Sequence, residues 1–180
     1  MILGLDISTS CTGFATIDLD GKIIKLDHID LRDKNKYPDF FSKALAAREK
    51  INEILDQYPI DHIFIEPALN MFMMGKSSSH TISTLIKFNG ILSWICYEQS
   101  GIIPEYIPAI SARKKCGITI KRGTKAKEQV FRFMIDNEPD FSYTVEYTKN
   151  GNPKPQYYDQ ADALVMARAG LVCLNEKSKS

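Results

Sequence analysis

The chain has 180 residues and a formal net charge of +1, long enough for one domain, 1–180, with a full hydrophobic core. No apolar run approaches the ~20 residues of a membrane span, and Met1-Ile-Leu-Gly-Leu-Asp6 lacks the basic start and unbroken apolar stretch of a secretory signal. The four cysteines, Cys11, Cys96, Cys116 and Cys173, show no metal-ligand spacing, which argues against a zinc site and for reduced thiols in a cytoplasmic protein.

Residues 1–7 are an apolar run reaching Asp6, the pattern of a buried strand. Ser8 to Ser10 favour a turn. Thr12 to Asp18 alternates as a second strand, Asp20-Gly21 is a hairpin signal, and Lys22 to Ile29 completes an antiparallel meander. Phe40 to Tyr58 carries helical spacing and stops at Pro59. His62 to Glu66 is a short strand ended by Pro67, and 68–79 read as a loop. A helix over 81–99 is apolar on more than one side, which fits either a central helix or a core helix with a subunit interface. Ile102 to Ile107 predicts a further strand. Ser111 starts a short helix to Cys116, and Thr124 caps a helix from Lys125 to Ile135. Residues 136–155 read as a mobile polar loop, and Pro155 precedes a final helix over 157–174. Strands followed by alternating helices and strands predict an α/β fold, a mixed sheet with helices on its faces.

The near-neutral total hides a basic block. Arg113, Lys114, Lys115, Lys121, Arg122, Lys125, Lys127 and Arg132 share their window with one acid, Glu128. Such segregation suits a polyanion, and equally a solvated basic face.

Asp159-Gln-Ala-Asp162 opens the final helix. Two carboxylates three residues apart share a helix face. Their repulsion, at the head of an apolar run, calls for a cation, with a divalent metal as the natural one. Asp6 and Glu66 end apolar strands and can complete a set of four hard oxygen ligands for Mg²⁺ or Mn²⁺. Two ions roughly 4 Å apart can activate a water and stabilise the leaving oxygen of a phosphodiester. Taken singly, each residue has a plainer role. Asp6 can serve a turn, Glu66 a surface ion pair, Asp159 the helix dipole, and Lys127 simple solvation.

In combination these motifs resemble the RuvC-type Holliday junction resolvases of the ribonuclease H-like superfamily. Ile2 to Gly13 is similar to the first family motif, Ile63-Phe-Ile-Glu66 to the second, Pro104-Glu-Tyr-Ile-Pro108 through Lys127-Glu-Gln-Val130 to the third, and Asp159-Gln-Ala-Asp-Ala-Leu164 through Ala167 to the fourth. The resemblance implies a mixed five-stranded sheet, an antiparallel meander plus parallel strands, flanked by helices. It implies Asp6, Glu66, Asp159 and Asp162 as ligands of two Mg²⁺ ions, with Lys127 near the scissile phosphate. It implies DNA contacts from Lys114 or Lys115 and a wedge at the junction centre from Leu69 or Phe72. Lys121, Arg122 and Lys125 join the DNA face through the basic block. A homodimer cutting branched DNA to 5′-phosphate and 3′-hydroxyl ends is the implied activity, and similar variants resemble debranching nucleases of bacteriophages. Three departures stand out: Ile7-Ser8 replaces the usual Pro-Gly, the loop after Glu66 has extra Met and Ser character, and 136–155 is long for the family. The competing functions are a ribonuclease of the same fold, a non-enzymatic junction binder, and an actin-type ATPase suggested by Gly4-Leu-Asp6 and the Ser/Thr residues after it.

Overall fold

A computed structural model of the chain describes residues 1–68, 79–121 and 123–179. The expected meander forms β1 (Ile2–Asp6), β2 (Cys11–Ile17) and β3 (Ile23–Asp30). Asp18 Oδ1 accepts from the amides of Asp20 and Lys22 at 3.0 and 2.7 Å, and Gly21 takes φ +90, so the Asp-Gly turn closes as its chemistry requires.

Asp39 and Ser42 form a reciprocal capping box at the head of α1 (Phe40–Gln57). The chain returns as β4 (His62–Ile65), parallel to β1. Then come α2 (Ser79–Ser100) and β5 (Glu105–Tyr106), parallel to β4. The sheet order is β3-β2-β1-β4-β5. The last strand is shorter than the sequence predicts. Pro104 and Pro108 flank it and cannot donate to a ladder, so it survives only as an edge fragment.

The helix α3 (Ala109–Lys115) follows Pro108, earlier than Ser111 suggests, because proline is well tolerated at a helix start. Thr124 does not cap α4 (Ala126–Asn137). Its hydroxyl donates instead to Lys121 O at 2.7 Å. The stretch expected as a mobile loop holds α5 (Pro139–Ser142) and a hairpin in which Tyr147 bridges Pro153. The chain ends on α6 (Gln156–Lys177).

Helices cover both faces of the sheet. Leu3, Leu5, Phe14 and Ile63 pack against Ile51, Phe88 and Leu92 of α1 and α2. Ile2, Ala15 and Phe64 pack against Val130, Phe141 and Leu164 on the other side. Both β1 and β2 are therefore buried throughout, and the alternation in β2 does not divide inside from outside. Each such Leu, Ile or Phe contributes roughly 1.5–3 kcal/mol.

The helix that matters most for the site is α6. Small residues bring it against the middle of the sheet. A Cβ on Gly4 would overlap Ala163 O and Ala167 N, one on Gly13 would overlap Asp159 O, and one on Gly170 would overlap the Phe64 ring. Side chains at these positions would hold the helix away from β1, β2 and β4.

Candidate active site

Asp6 ends β1, the central strand, and its register partner on β2 is Gly13. The side chain missing at Gly13 leaves room for the head of α6, which carries Asp159 in its first turn and Asp162 in the next. Glu66 follows β4, and its amide donates to Leu5 O at 3.3 Å, which sets it beside the end of β1. The strand ends and the helix head thus bring the sequence-predicted carboxylates to one end of the sheet. Among the described residues no ion pair reaches Glu66 within 4.0 Å.

Lys127, from the first turn of α4, joins them. Its ammonium lies 2.6 Å from Asp159 Oδ1, 3.1 Å from Asp6 Oδ2 and 3.5 Å from Asp162 Oδ2. Arg113 adds a second cation 3.7 Å from Asp162 Oδ1. Asp162 is nearly sealed, with 4 % of its side chain exposed, while Lys127 keeps 50 %. The cation is therefore reachable from solvent and the carboxylates much less so.

The electrostatics show an excess of negative charge. Burial pushes the Asp6 carboxyl up to about 7; Lys127 pulls it back, and Asp162, Glu66 and Asp159 add to the rise. Glu66 is raised by burial and by Asp162, against Arg113 and Lys127. Asp162 is also raised, chiefly by burial, with Lys127 and Arg113 opposing. Burial works against the charge on Lys127, yet Asp6, Asp162 and Asp159 together hold its ammonium well above the usual lysine range. The two directions are compatible: the carboxylates secure the ammonium, and one ammonium does not offset their burial and mutual repulsion.

Neighbouring contacts fix the frame. Thr12, fully buried, donates to Ser8 O at 3.0 Å, and Lys43 Nζ donates to Thr9 O at 2.8 Å, so the turn after Asp6 is tied on both sides. Asn89 of α2 donates from Nδ2 to Glu66 O at 2.8 Å. Gln160, between the two aspartates, meets His28 Nδ1 at 3.2 Å. Burial lowers the His28 pKa, which suits a neutral ring accepting that bond. The Cys11 thiol is pushed up by burial and by the neighbouring Asp159 carboxylate, so it is a neutral thiol and not a thiolate.

The other sequence candidates are spread out. Of three consecutive basic residues on α3, Arg113 reaches the carboxylates. Lys114 is exposed and lines a cavity of about 490 Å³ with Arg113 and Ile118, and Lys115 is paired with Glu176 at 2.6 Å. Lys125 pairs with Glu128 at 3.0 Å, and Lys121 is exposed, its amide bonded to Gln129. Leu69, Phe72 and Arg122 lie outside the described residues. Sequence reasoning passed over Arg113, Asn89, His28 and Gln160. Only Arg113 left a signal, as a member of the basic block.

The donor set is the kind that hard divalent cations take: carboxylate oxygens, two of them on sealed side chains. Among the described residues no three acidic, histidine or cysteine side chains already close on one point as a metal cage does. The aspartates are spaced around an ammonium instead. The fit is therefore one of chemistry and convergence, with the Lys127 ammonium in the middle.

A central parallel pair flanked by an antiparallel meander, with acids at the strand ends and on a crossing helix, defines a ribonuclease H-like fold. Solved structures with this fold include Thermus thermophilus RuvC in complex with a Holliday junction substrate (TM-score 0.68, 11 % identity, 97 % of this chain and 94 % of that one). Thermus thermophilus RuvC alone superposes with a TM-score of 0.65 at 13 % identity, over 98 % and 96 % of the two chains. The yeast mitochondrial Holliday junction resolvase Ydc2 does so at 0.62 and 16 %, over 99 % and 80 %. In sequence, the chain is 28 % identical over 135 residues to the crossover junction endodeoxyribonuclease RuvC of Christiangramia forsetii, a match spanning 74 % of this chain and 65 % of that protein's length. No family model matches the chain.

Proposed function

We propose that the chain is a metal-dependent endonuclease of one domain that cuts branched DNA, with four-way junctions as its leading substrate. The observation that carries this reading is the convergence of Asp6, Asp159 and Asp162 on the Lys127 ammonium, at the same end of the sheet as Glu66. The likeness to RuvC in sequence and fold supports the choice of substrate.

Asp6, Glu66, Asp159 and Asp162 would hold Mg²⁺, with Mn²⁺ as a substitute and two ions per site. Bound there, the metal would supply the charge that activates water and stabilises a leaving oxygen. The chain's own residues do the rest. Buried carboxylates short of positive charge bind cations strongly. Lys127, half exposed, can turn its ammonium toward a phosphate entering from solvent. Arg113 holds Asp162 from the opposite side. The α2 face bearing Ile86, Trp94 and Tyr97 is proposed to pair two copies, which suits symmetric nicks on two strands. Four free cysteines accord with a cytoplasmic location.

The test is nicking of a synthetic four-way junction in Mg²⁺ by the wild type and by Asp6→Asn, with a flap, a fork and an RNA–DNA hybrid alongside. Cutting by the wild type alone, strongest on the junction, supports the reading. Equal cutting by the variant would remove Asp6 from the site, and preference for the hybrid would make the protein a ribonuclease.

A further inference from the structure

The stretch between α5 and α6 forms a hairpin next to the acidic site, and nothing in the proposed chemistry uses it. Thr148 N donates to Asn152 O at 2.7 Å, Gly151 N to Thr148 O at 2.9 Å, and Lys154 N to Glu146 O at 3.0 Å. Gly151 takes φ +76, the left-handed conformation that closes such a turn, and the Lys154–Glu146 ion pair ties its base. The tip is thus a built structure that presents Lys149 and Asn150 to solvent.

Between this hairpin and α4 runs a groove of about 330 Å³, walled by Phe131 and Arg132, by Tyr158, and by Gly151, Asn152 and Pro153. It lies close to the site: Phe131 is one helical turn beyond Lys127 on the same face of α4, and Tyr158 is the chain neighbour of Asp159. The Phe131 and Tyr158 rings pack at 5.0 Å between centroids, which makes that end rigid. Tyr147 opposes Pro153 across the antiparallel bridge, and directly opposed residues share a face. Tyr147 thus neighbours a residue of the groove wall, with 53 % of its surface exposed. Among the described residues neither Arg132 nor Lys149, both exposed, has an acidic partner in salt-bridge range. Glu128 also lines the groove, but Lys125 meets its charge at 3.0 Å.

An exposed aromatic ring, unpaired cations and a trough one helical turn from an acidic centre match one chemistry: a single nucleic-acid strand. Phosphates would meet Arg132 and Lys149, and an unpaired base would stack on Tyr147. Duplex bases are already stacked and have no face to offer. We infer that the groove between α4 and the 146–154 hairpin carries a single DNA strand away from the active site. This surface would favour substrates with unpaired nucleotides beside the cut. The inference rests on the proposed nuclease function.

The test is fluorescence anisotropy, in Ca²⁺, on two labelled forks, one with a single-stranded arm and one fully paired. We expect Tyr147→Ala to weaken binding of the single-stranded-arm fork about tenfold and to leave the paired fork unchanged. Tyr147→Phe, which keeps the ring, restores wild-type affinity. Arg132→Gln lowers the slope of log Kd against log salt by about 0.7, one single-strand phosphate contact. Wild-type affinity and slope in both variants would overturn the groove while leaving the nuclease reading intact. A wild type that binds neither fork would overturn both.

Discussion

Gly13 of β2 and Asp159 of α6 touch through their backbones, and a side chain at Gly13 would overlap the Asp159 carbonyl. Because Gly13 is also the register partner of Asp6, one missing Cβ sets the separation of two of the proposed metal ligands. Gly13→Ala should therefore push the head of α6 off the sheet. Overpacking a close-packed backbone costs about 1–3 kcal/mol, and here the obstacle is main chain, which cannot swing aside. The expected outcome is a melting temperature lower by several degrees and a larger loss in nicking than in DNA affinity. Nicking at the wild-type rate would show that the helix tolerates the shift.

Asp6 is charged at the expense of stability. Its carboxyl titrates near 7 in the folded chain against 3.8 when unperturbed, so between these values the folded protein holds a proton that the unfolded chain has released. Stability therefore falls as pH rises from about 4 to about 7 and the loss is complete above that. Glu66 and Asp162 shift in the same direction. In EDTA, Asp6→Asn should melt higher than the wild type at pH 8 and much closer to it at pH 5, while losing nicking in Mg²⁺. Equal melting at both pH values would mean that Lys127 already offsets the burial of Asp6.

Much of this site was legible in the residues. Asp6 and Glu66 end apolar runs, which marks strand ends, and Asp159 and Asp162 share a face by helical period. What stayed hidden depends on tertiary approach. Arg113, Lys114 and Lys115 are alike as letters, and only the seating of α3 on α6 selects Arg113. The roles of Gly4 and Gly13 belong to a helix distant in sequence. The hairpin at 146–154 is held largely by backbone bonds, which polar composition does not reveal. The shortness of β5 was foreshadowed by Pro104 and Pro108, whose effect on the ladder outweighs the strand preference of Ile102, Ile103, Tyr106 and Ile107.

Lys127 sits where the carboxylates call for a cation, so its ammonium and a divalent ion should compete for the same oxygens. Lys127→Gln removes one positive charge from among Asp6, Asp159 and Asp162. We expect two opposite effects. The metal-free protein loses about 3 kcal/mol or less, since buried carboxylates lose their partner while half-exposed Lys127 is partly screened by solvent. Mn²⁺, by contrast, binds more tightly, read by isothermal titration. Weaker Mn²⁺ binding in the variant would show that the lysine supports the metal site and does not compete with it.

The outer stripe of α2 carries the last expectation. Ile86, Trp94 and Tyr97 are 41 %, 59 % and 48 % exposed, and Phe41 and Leu45 of α1 are 70 % and 58 % exposed. Apolar groups at this density lose free energy in water and gain it against a second apolar surface. A self-complementary contact of two α2 helices would cover them in both copies at once. Trp94→Glu places a charge in the middle of that contact without touching the core, since Phe88, Leu92 and Ile95 face the sheet. Sedimentation at micromolar concentration should show a wild-type dimer and a variant monomer with unchanged circular dichroism. Paired nicks on a four-way junction should become independent single nicks in the variant, because each copy would then meet its strand alone. A wild type that sediments as a monomer even with junction DNA bound would assign the stripe to a different partner.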